Sequence, residues 1–236
     1  MSAFRRSRPS SLSAVQTAII SCEQCPRLRT YCREVGRTRK AAFRNDLYWA
    51  RPVPGFGDPN ARVLILGLAP AAHGANRTGR VFTGDGVGAS GDFLMAALKR
   101  AGFANIATSQ RVDDGLTLTD AYIAAAVRCA PPANKPLPEE VDRCLHHLVN
   151  EVAHLPRLQV VVALGKIAWD AWMKLLVLRG DTLPRPRPVF GHGATWSDGR
   201  LLLVGAYHPS RQNTNTGVVT PRMYDAVFRT VRESLG

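Results

Sequence analysis

The sequence predicts an α/β protein with three layers, in which helices cover both faces of a central, mainly parallel, four-stranded sheet. Four short, unbroken apolar segments occur along the 236 residues, and each is followed, directly or after a loop, by a segment of helical periodicity. Apolar strands that alternate with helices are typical of a parallel sheet buried on both faces. A chain of this length supports one substantial core, so we expect a single domain over residues 1–236.

The predicted strands are short, apolar and bounded by residues that favour turns. Asn60 and Pro70 enclose the first strand, and Gly165 ends the third. Apolar segments of about four to eight residues with such boundaries are typical of buried strands. The predicted strands span 62–69, 121–127, 159–164 and 201–207.

Helices are predicted between and after these strands. Asp92 is a suitable N-cap for the first, and Pro138 suits the first turn of the second, where a missing backbone N–H costs nothing. The Pro- and Gly-rich segment 181–200 is expected to form a surface loop. The predicted helices span 92–101, 138–154, 166–178 and 220–234.

Three long segments leave the carboxyl ends of the predicted strands, at 68–91, 128–137 and 208–217. Ligands of open parallel sheets bind beyond these strand ends. Most of the unusual residues of the chain lie in the three segments, so we expect one active site there.

The chain carries a net charge of +13, which predicts a polyanionic partner, most commonly a nucleic acid. Residues 1–51 hold eleven Arg and Lys against three acidic residues, a net +8 of that total. A solvated basic arm is the alternative interpretation, and residues 1–12 are expected to be a flexible basic tail. No apolar segment is long enough to cross a bilayer, and the N-terminus lacks a signal sequence, so a cytoplasmic protein is expected.

Four of the five cysteines form two pairs, Cys22 with Cys25 and Cys129 with Cys144. Two such pairs in a large chain from a reducing compartment indicate metal or iron–sulfur ligands rather than disulfides. Spacing alone leaves zinc open as an alternative. Cys32 is interpreted as a thiol outside the site.

Four motifs occur in order along the chain: GLAPAAHG at 67–74, TGRVFTGD at 78–85, RCAPP at 128–132 and HPSRQN at 208–213. Together with the paired cysteines, they resemble the uracil-DNA glycosylase superfamily, in its branches with a four-iron cluster, families 4 and 5. Family 4 enzymes carry a glutamate in the first motif, and Leu68 stands at its place here. The chain is therefore most similar to family 5, the type B enzymes.

This resemblance implies a monofunctional DNA repair hydrolase that releases uracil and other deaminated or modified bases, such as hypoxanthine, and leaves an abasic site. It implies a [4Fe-4S] cofactor on Cys22, Cys25, Cys129 and Cys144, and DNA containing damaged bases as the partner of a monomeric enzyme. A non-catalytic iron–sulfur or zinc protein that binds nucleic acid remains the alternative, and a redox protein is a third possibility.

The resemblance also suggests roles for individual residues. His208 can donate an N–H to the departing base. The water lacks the family 4 carboxylate, which leaves Asn134, Asp85 and the backbone groups of Ala69 to Gly74 as candidates. Asp85 could equally cap its own turn, and Asn134 could only shape its loop. Of the two side chains, Asn134 is favoured. The base-binding residues are predicted to be Gly67, Ala69, Ala71, His73, Gly74, Phe82, which suits base stacking, and Ala125, which replaces a family 4 asparagine. The DNA-binding residues are predicted to be Arg80, Ser210, Arg211 and Asn213.

Overall fold

The computed structural model describes residues 9–236, which form one six-stranded mixed sheet. Its strands are β1 (Phe56–Gly57), β2 (Val63–Gly67), β3 (Ala121–Ala125), β4 (Val160–Leu164), β5 (Thr195–Ser197) and β6 (Leu202–Ala206). They lie in the order β1-β3-β2-β4-β6-β5. The four predicted strands form the parallel centre of the sheet, β3-β2-β4-β6, which confirms the α/β class.

The prediction of four strands was wrong in number, because two short antiparallel strands extend the sheet at its edges. β1 has only two residues, too few to produce a sequence pattern. β5 lies inside the segment 181–200 that was predicted to be a surface loop, and Thr195 and Ser197 are both exposed. Neither strand has the apolar run that marks a buried strand.

Helices lie on both faces of the sheet. α4 and α8 pack together on one face, whereas α1, α5 and α6 pack on the other. Two three-residue 3₁₀ turns, at Ala41–Phe43 and Pro132–Asn134, complete the regular structure. The α-helices are α1 (Leu12–Ile20), α2 (Pro26–Thr38), α3 (Ala75–Thr78), α4 (Ser90–Arg100), α5 (Pro138–Val152), α6 (Lys166–Leu178), α7 (Arg211–Asn215) and α8 (Pro221–Leu235).

Two predictions about helix starts need correction. Ala89, not Asp92, is the N-cap of α4, and the Asp92 carboxylate instead accepts hydrogen bonds from the backbone of Gly88 and Ser109, each at 2.9 Å. Ser11 caps α1, so the end of the predicted flexible tail is helical, while residues 1–8 of that tail lie outside the described residues. Within residues 9–236, no helix is both long and apolar enough to span a membrane.

A buried ion pair joins the end of β3 to α5. Arg128 and Glu151 are each only 1% exposed, and their side chains are in direct contact. Glu151 Oε1 also accepts hydrogen bonds from the Tyr122 hydroxyl at 3.1 Å and from the Gly55 backbone at 2.9 Å. Burying two charges is tolerated only when they are paired and their remaining atoms are hydrogen-bonded. The Glu151 carboxylate meets both conditions.

Glu151→Gln should lower the free energy of unfolding by about 3–5 kcal/mol, because it removes the carboxylate that pairs with the buried Arg128 guanidinium. The matched control is Asp142→Asn, which removes one carboxylate from an exposed pair with Lys174 and should cost about 0–1 kcal/mol. Urea denaturation of both variants measures the difference. If the two variants lost the same free energy of unfolding, the buried pair would contribute no more than a surface pair.

Candidate active site

The three long segments predicted to form one site do converge at the carboxyl ends of the parallel strands. They enclose a cavity of about 650 Å³, a volume in the range of small-molecule sites. The segments after β2 and β6 supply most of the wall, while the loop after β3 contributes Asn134. Lys40 and Phe43, from a part of the chain where no site residue was predicted, complete the lining.

Phe82 and His208 form the aromatic part of the wall. Their rings are stacked, with centroids 5.8 Å apart and planes inclined by 27°. Gly67 ends β2 directly beneath this pair, and a Cβ there would lie 2.8 Å from the Phe82 ring. Phe82 itself adopts the left-handed φ of +51°. A glycine at the strand end therefore makes room for an aromatic ring that the loop holds in a strained conformation.

His208 is uncharged at neutral pH. Burial lowers its pKa to about 4, because the site desolvates the imidazolium. Its backbone carbonyl accepts a hydrogen bond from the Asn213 amide at 2.8 Å, and Ser210 caps the short helix α7 that follows. A neutral imidazole still carries one N–H, so His208 can donate a hydrogen bond without bringing a positive charge into the cavity.

Asp85 lies in the same cavity, over the backbone of Gly74. Its Oδ1 is buried and has no hydrogen-bond partner, and a Cβ on Gly74 would collide with it. Burial raises the pKa of Asp85 to about 6, although Arg211 and Arg77 act in the opposite direction. A carboxylate without a partner inside a cavity is poised to bind a ligand or a water molecule.

Asn134 occupies a different position, at the exposed rim of the cavity. Ala133 and Asn134 both have left-handed φ values, of +52° and +56°, so the loop turns sharply there. Ala125 is buried at the end of β3 and presents only a methyl group to the cavity. The other predicted base-binding residues that line the cavity are Ala69, Ala71, His73 and Gly74.

One arginine that was not predicted holds the walls of the cavity together. The Arg77 guanidinium donates to the His73 carbonyl at 2.9 Å and the Gly84 carbonyl at 2.7 Å, and it pairs with Asp46 at 2.5 Å. It also lies 3.9 Å from the centroid of the Phe43 ring. Neither Arg77 nor Phe43 belongs to one of the four motifs. Arg77 contacts residues that are far apart in the sequence, so no local pattern indicates its role.

The predicted DNA-binding residues are in unlike environments. Arg80 is buried, and its guanidinium bonds to Thr83 at 2.8 Å and to Asp114 at 2.7 Å, so its place on a DNA-binding surface is corrected to a structural one. Ser210 lines the cavity while capping α7. Asn213 is engaged with the His208 carbonyl. Arg211 alone of the four has an exposed side chain at the cavity mouth.

The four paired cysteines line a second, much smaller cavity of about 20 Å³. Cys22 and Cys25 reach it from the segment between α1 and α2, Cys129 from the loop after β3, and Cys144 from α5. Cys32 does not line this cavity, and its thiol donates to the Ala130 carbonyl at 3.6 Å. Within residues 9–236, no three His, Cys, Asp or Glu side chains are arranged as ligands of one metal ion.

The surroundings of this cavity suit an anionic group with acceptor atoms. Arg128 Nε and Nη1 and His147 Nε2 are buried there without hydrogen-bond partners. Arg29 Nη1 lies 4.0 Å from the Cys129 sulfur. Burial raises the pKa of the Cys144 thiol to about 12, so this thiol stays protonated unless a metal replaces the proton. Positive donors around a cavity lined by four cysteines fit a thiolate-bound cluster.

Comparisons with known proteins agree with this geometry. Residues 54–232 match the family model of the uracil DNA glycosylase superfamily. The type-5 uracil-DNA glycosylase of Thermus thermophilus is 48% identical over 223 residues, covering 94% of this chain and 97% of that protein. The type-5 enzyme of Mycobacterium tuberculosis is 45% identical over 96% of this chain and 82% of its own length. A type-4 enzyme of Pyrobaculum aerophilum is 33% identical over 73% of this chain and 69% of its own length.

The chain therefore belongs to the uracil DNA glycosylase superfamily and, within it, to the type-5 uracil-DNA glycosylases. This confirms the resemblance carried by the four motifs and by Leu68 in the place of the family 4 glutamate. It also confirms the three-layer fold, with a glycosylase-like parallel sheet at its centre.

The raised pKa of Asp85 predicts that this residue destabilises the fold above its pKa. Between its ordinary value of 3.8 and about 6, the folded chain retains a proton that the unfolded chain has lost. The free energy of unfolding therefore falls as the pH rises through this window. Asp85→Asn should raise it by about 1–3 kcal/mol at pH 8 and leave it unchanged below pH 4.

Thermal and urea unfolding at pH 4 and pH 8 measure this difference. Asp92→Asn is the matched control, because the Asp92 carboxylate accepts two backbone hydrogen bonds and its loss should destabilise the fold. If Asp85→Asn raised the free energy of unfolding equally at both pH values, the burial of an ionised Asp85 would be contradicted.

Proposed function

We propose that this DNA repair enzyme, a uracil-DNA glycosylase by family, releases uracil and other deaminated or modified bases, such as hypoxanthine, by hydrolysis and leaves an abasic site. The observation that carries the proposal is the meeting of His208, Phe82 and Asp85 in one cavity at the strand ends. A protein that only bound nucleic acid would explain the positive charge but not a buried carboxylate oxygen without a partner.

In the proposed reaction the base leaves with the electrons of the glycosidic bond, and the sugar passes through an oxocarbenium-like state. The His208 N–H donates to an oxygen of the departing base as negative charge develops there. Because His208 is neutral, the hydrogen bond strengthens only as that charge forms. Phe82 supplies an apolar face on which the base stacks.

Water supplies the hydroxyl that ends on the sugar C1′ atom, and its proton is released. Asp85 is better placed than Asn134 to accept this proton, which reverses the preference drawn from the sequence. Asp85 has a buried, unpartnered oxygen and a pKa of about 6, so it is ionised at neutral pH. A base with a pKa near the operating pH is effective in proton transfer. Asn134, at the rim, is assigned to the base or sugar.

The proposed substrate range rests on what the cavity lacks. Ala125 has no polar side-chain atom that could hydrogen-bond to the base. Exchanging one base for another therefore leaves no buried polar group of this residue without a partner. A volume of about 650 Å³ also accommodates a purine as well as a pyrimidine. The positive charge of the chain, and Arg211 at the mouth of the cavity, favour DNA as the partner. The proposed enzyme acts as a monomer in the cytoplasm.

We assign a [4Fe-4S] cluster to Cys22, Cys25, Cys129 and Cys144, with a structural role. When bound, it would cross-link the start of α2, the loop after β3 and helix α5. The loop after β3 also carries Asn134, so the cluster would fix one rim of the active site. The burial of Cys25, Cys129 and Cys144 and the unpartnered nitrogens of Arg128 and His147 support this assignment.

His208→Ala should lower the single-turnover rate of uracil release about 10²–10³-fold and leave DNA affinity nearly unchanged, because the hydrogen bond acts on the developing anion. The assay follows alkali-labile abasic sites in oligonucleotides that contain uracil or hypoxanthine. His154→Ala is the matched control, since His154 follows the far end of α5 and bonds to the Asn150 carbonyl. Equal losses of affinity and rate in His208→Ala would make the residue structural.

The same reactions, run with borohydride, test whether water is the nucleophile. A Schiff-base mechanism needs an amine in the site. Lys135 is the neighbour of Asn134 in the sequence, and Lys40 is the lysine that lines the cavity. No covalent protein–DNA adduct is expected, and an adduct that disappears in Lys40→Ala or Lys135→Ala would overturn the hydrolytic mechanism.

The purified protein should be brown and contain stoichiometric iron. Cys144→Ser should abolish the visible absorption and unfold the surrounding region, because the cluster ties three elements together. Cys32→Ser is the matched control, since this buried thiol neighbours Cys129 but does not line the cavity, and the variant should keep its iron. A colourless native protein that contains one zinc ion would refute the cluster.

A further inference from the structure

An arginine–proline segment (residues 184–188) follows α6 and carries two positive charges that the protein itself does not use. Its sequence is Pro-Arg-Pro-Arg-Pro, and the side chains of Arg185 and Arg187 are both exposed. Within residues 9–236, neither of these arginines forms an ion pair or a side-chain hydrogen bond. Both guanidinium groups are therefore available to an anion outside the chain.

Contacts with α6 and β6 place the end of this segment at the same edge of the sheet as the active site. The Pro188 carbonyl accepts a hydrogen bond from Trp169 Nε1 at 3.2 Å, and Trp169 lies in the first turn of α6. Because α6 begins directly after β4, that turn lies at the carboxyl ends of the parallel strands. The Phe190 ring centroid is 6.0 Å from that of Trp169 and 6.0 Å from that of Tyr207. Tyr207 immediately precedes His208 in the active site.

The chain that follows anchors the segment, and its prolines stiffen it. His192 Nδ1 accepts a hydrogen bond from the Tyr207 backbone at 3.2 Å, and Gly193 N donates to the Gly205 carbonyl at 2.8 Å. Each proline fixes its own φ, and three of the five residues of the segment are prolines. The backbone of such a segment loses little conformational entropy when its arginines bind a ligand.

The electrostatic surroundings leave the segment positive. The acidic residues that flank it along the chain are already paired: Asp170 with Lys166 at 2.5 Å, and Asp181 with Arg179 at 3.9 Å. Arg211, at the mouth of the cavity, adds a further positive charge at the same edge of the sheet. Exposed positive charges distributed along one edge are suited to the regularly spaced phosphates of a nucleic acid.

We propose that Arg185 and Arg187 bind backbone phosphates of duplex DNA beyond the base that occupies the cavity. This inference rests on the proposed function, since it concerns how the same DNA is held. Phosphate contacts contribute affinity and fix the position of a protein on the duplex without reading the sequence. The arginine–proline segment therefore extends the contact with DNA past the active site and takes no part in the release of the base.

The double variant Arg185→Ala/Arg187→Ala should bind undamaged duplex DNA about tenfold more weakly at low salt, with a slope of log affinity against log salt shallower by about 1.8, because each phosphate contact contributes about 0.9. Arg157→Ala/Arg200→Ala is the matched control. It removes the same charge from exposed side chains at the opposite edge, before β4 and β6, and should leave the slope unchanged. Arg185→Lys/Arg187→Lys should retain the native slope, since lysine also neutralises a phosphate.

A second measurement locates the contact directly. A photo-crosslinking amino acid in place of Arg187 should form a covalent adduct with the duplex on irradiation, and the same amino acid in place of Arg157 should not. Equal slopes for the two alanine double variants, or equal crosslinking at both positions, would overturn the role of the segment and leave base release intact. Undiminished DNA binding by Arg185→Ala/Arg187→Ala would also overturn it and would point to an acidic protein as the partner of this surface. A native chain without salt-dependent affinity for DNA would overturn the proposed function and this inference together.

Discussion

The buried contact between Arg128 and Glu151 is the constraint on which the active-site cavity and the cysteine-lined cavity depend. Arg128 immediately precedes Cys129, and its backbone N–H donates to the Cys144 sulfur at 3.3 Å. Its carbonyl accepts from Val53 at 2.7 Å. Because unpaired burial of either charge is unfavourable, the pair fixes how far the end of β3 lies from α5. The loop that leaves β3 for Asn134 starts from this fixed point.

The floor of the active site is rigid, and its walls carry the side chains that act on the substrate. The parallel strands bring Gly67, Ala125 and the segment before His208 to one edge, and their backbones are held by the sheet. Two residues that act on the substrate depart from their ordinary states: burial lowers the pKa of His208, and Asp85 has a buried oxygen without a hydrogen-bond partner. Such departures from the stable arrangement are expected at catalytic sites, where stability is given up for reactivity.

The sequence was sufficient for the features that depend on local pattern. Buried strands of five apolar residues and ordered motifs are such features, so the sheet centre, the site location and the family were all predicted. The misassigned residues depend on distant partners. Arg80 lies in a motif whose resemblance suggested DNA binding, but its side chain is buried and pairs with Asp114, 34 positions later. Burial of Asp85 likewise arises from packing of separate loops, which no local pattern encodes, and the same holds for Arg77.

The Arg77 guanidinium has a consequence for how substrate enters. It bonds to the loops that carry Asp46, His73 and Gly84 at the same time, so none of these walls can swing away without breaking contacts shared with the other two. The cavity is therefore preformed. The conformational entropy of its walls is lost when the chain folds and not when a ligand binds. A ligand that enters must therefore conform to a cavity whose walls are already in place.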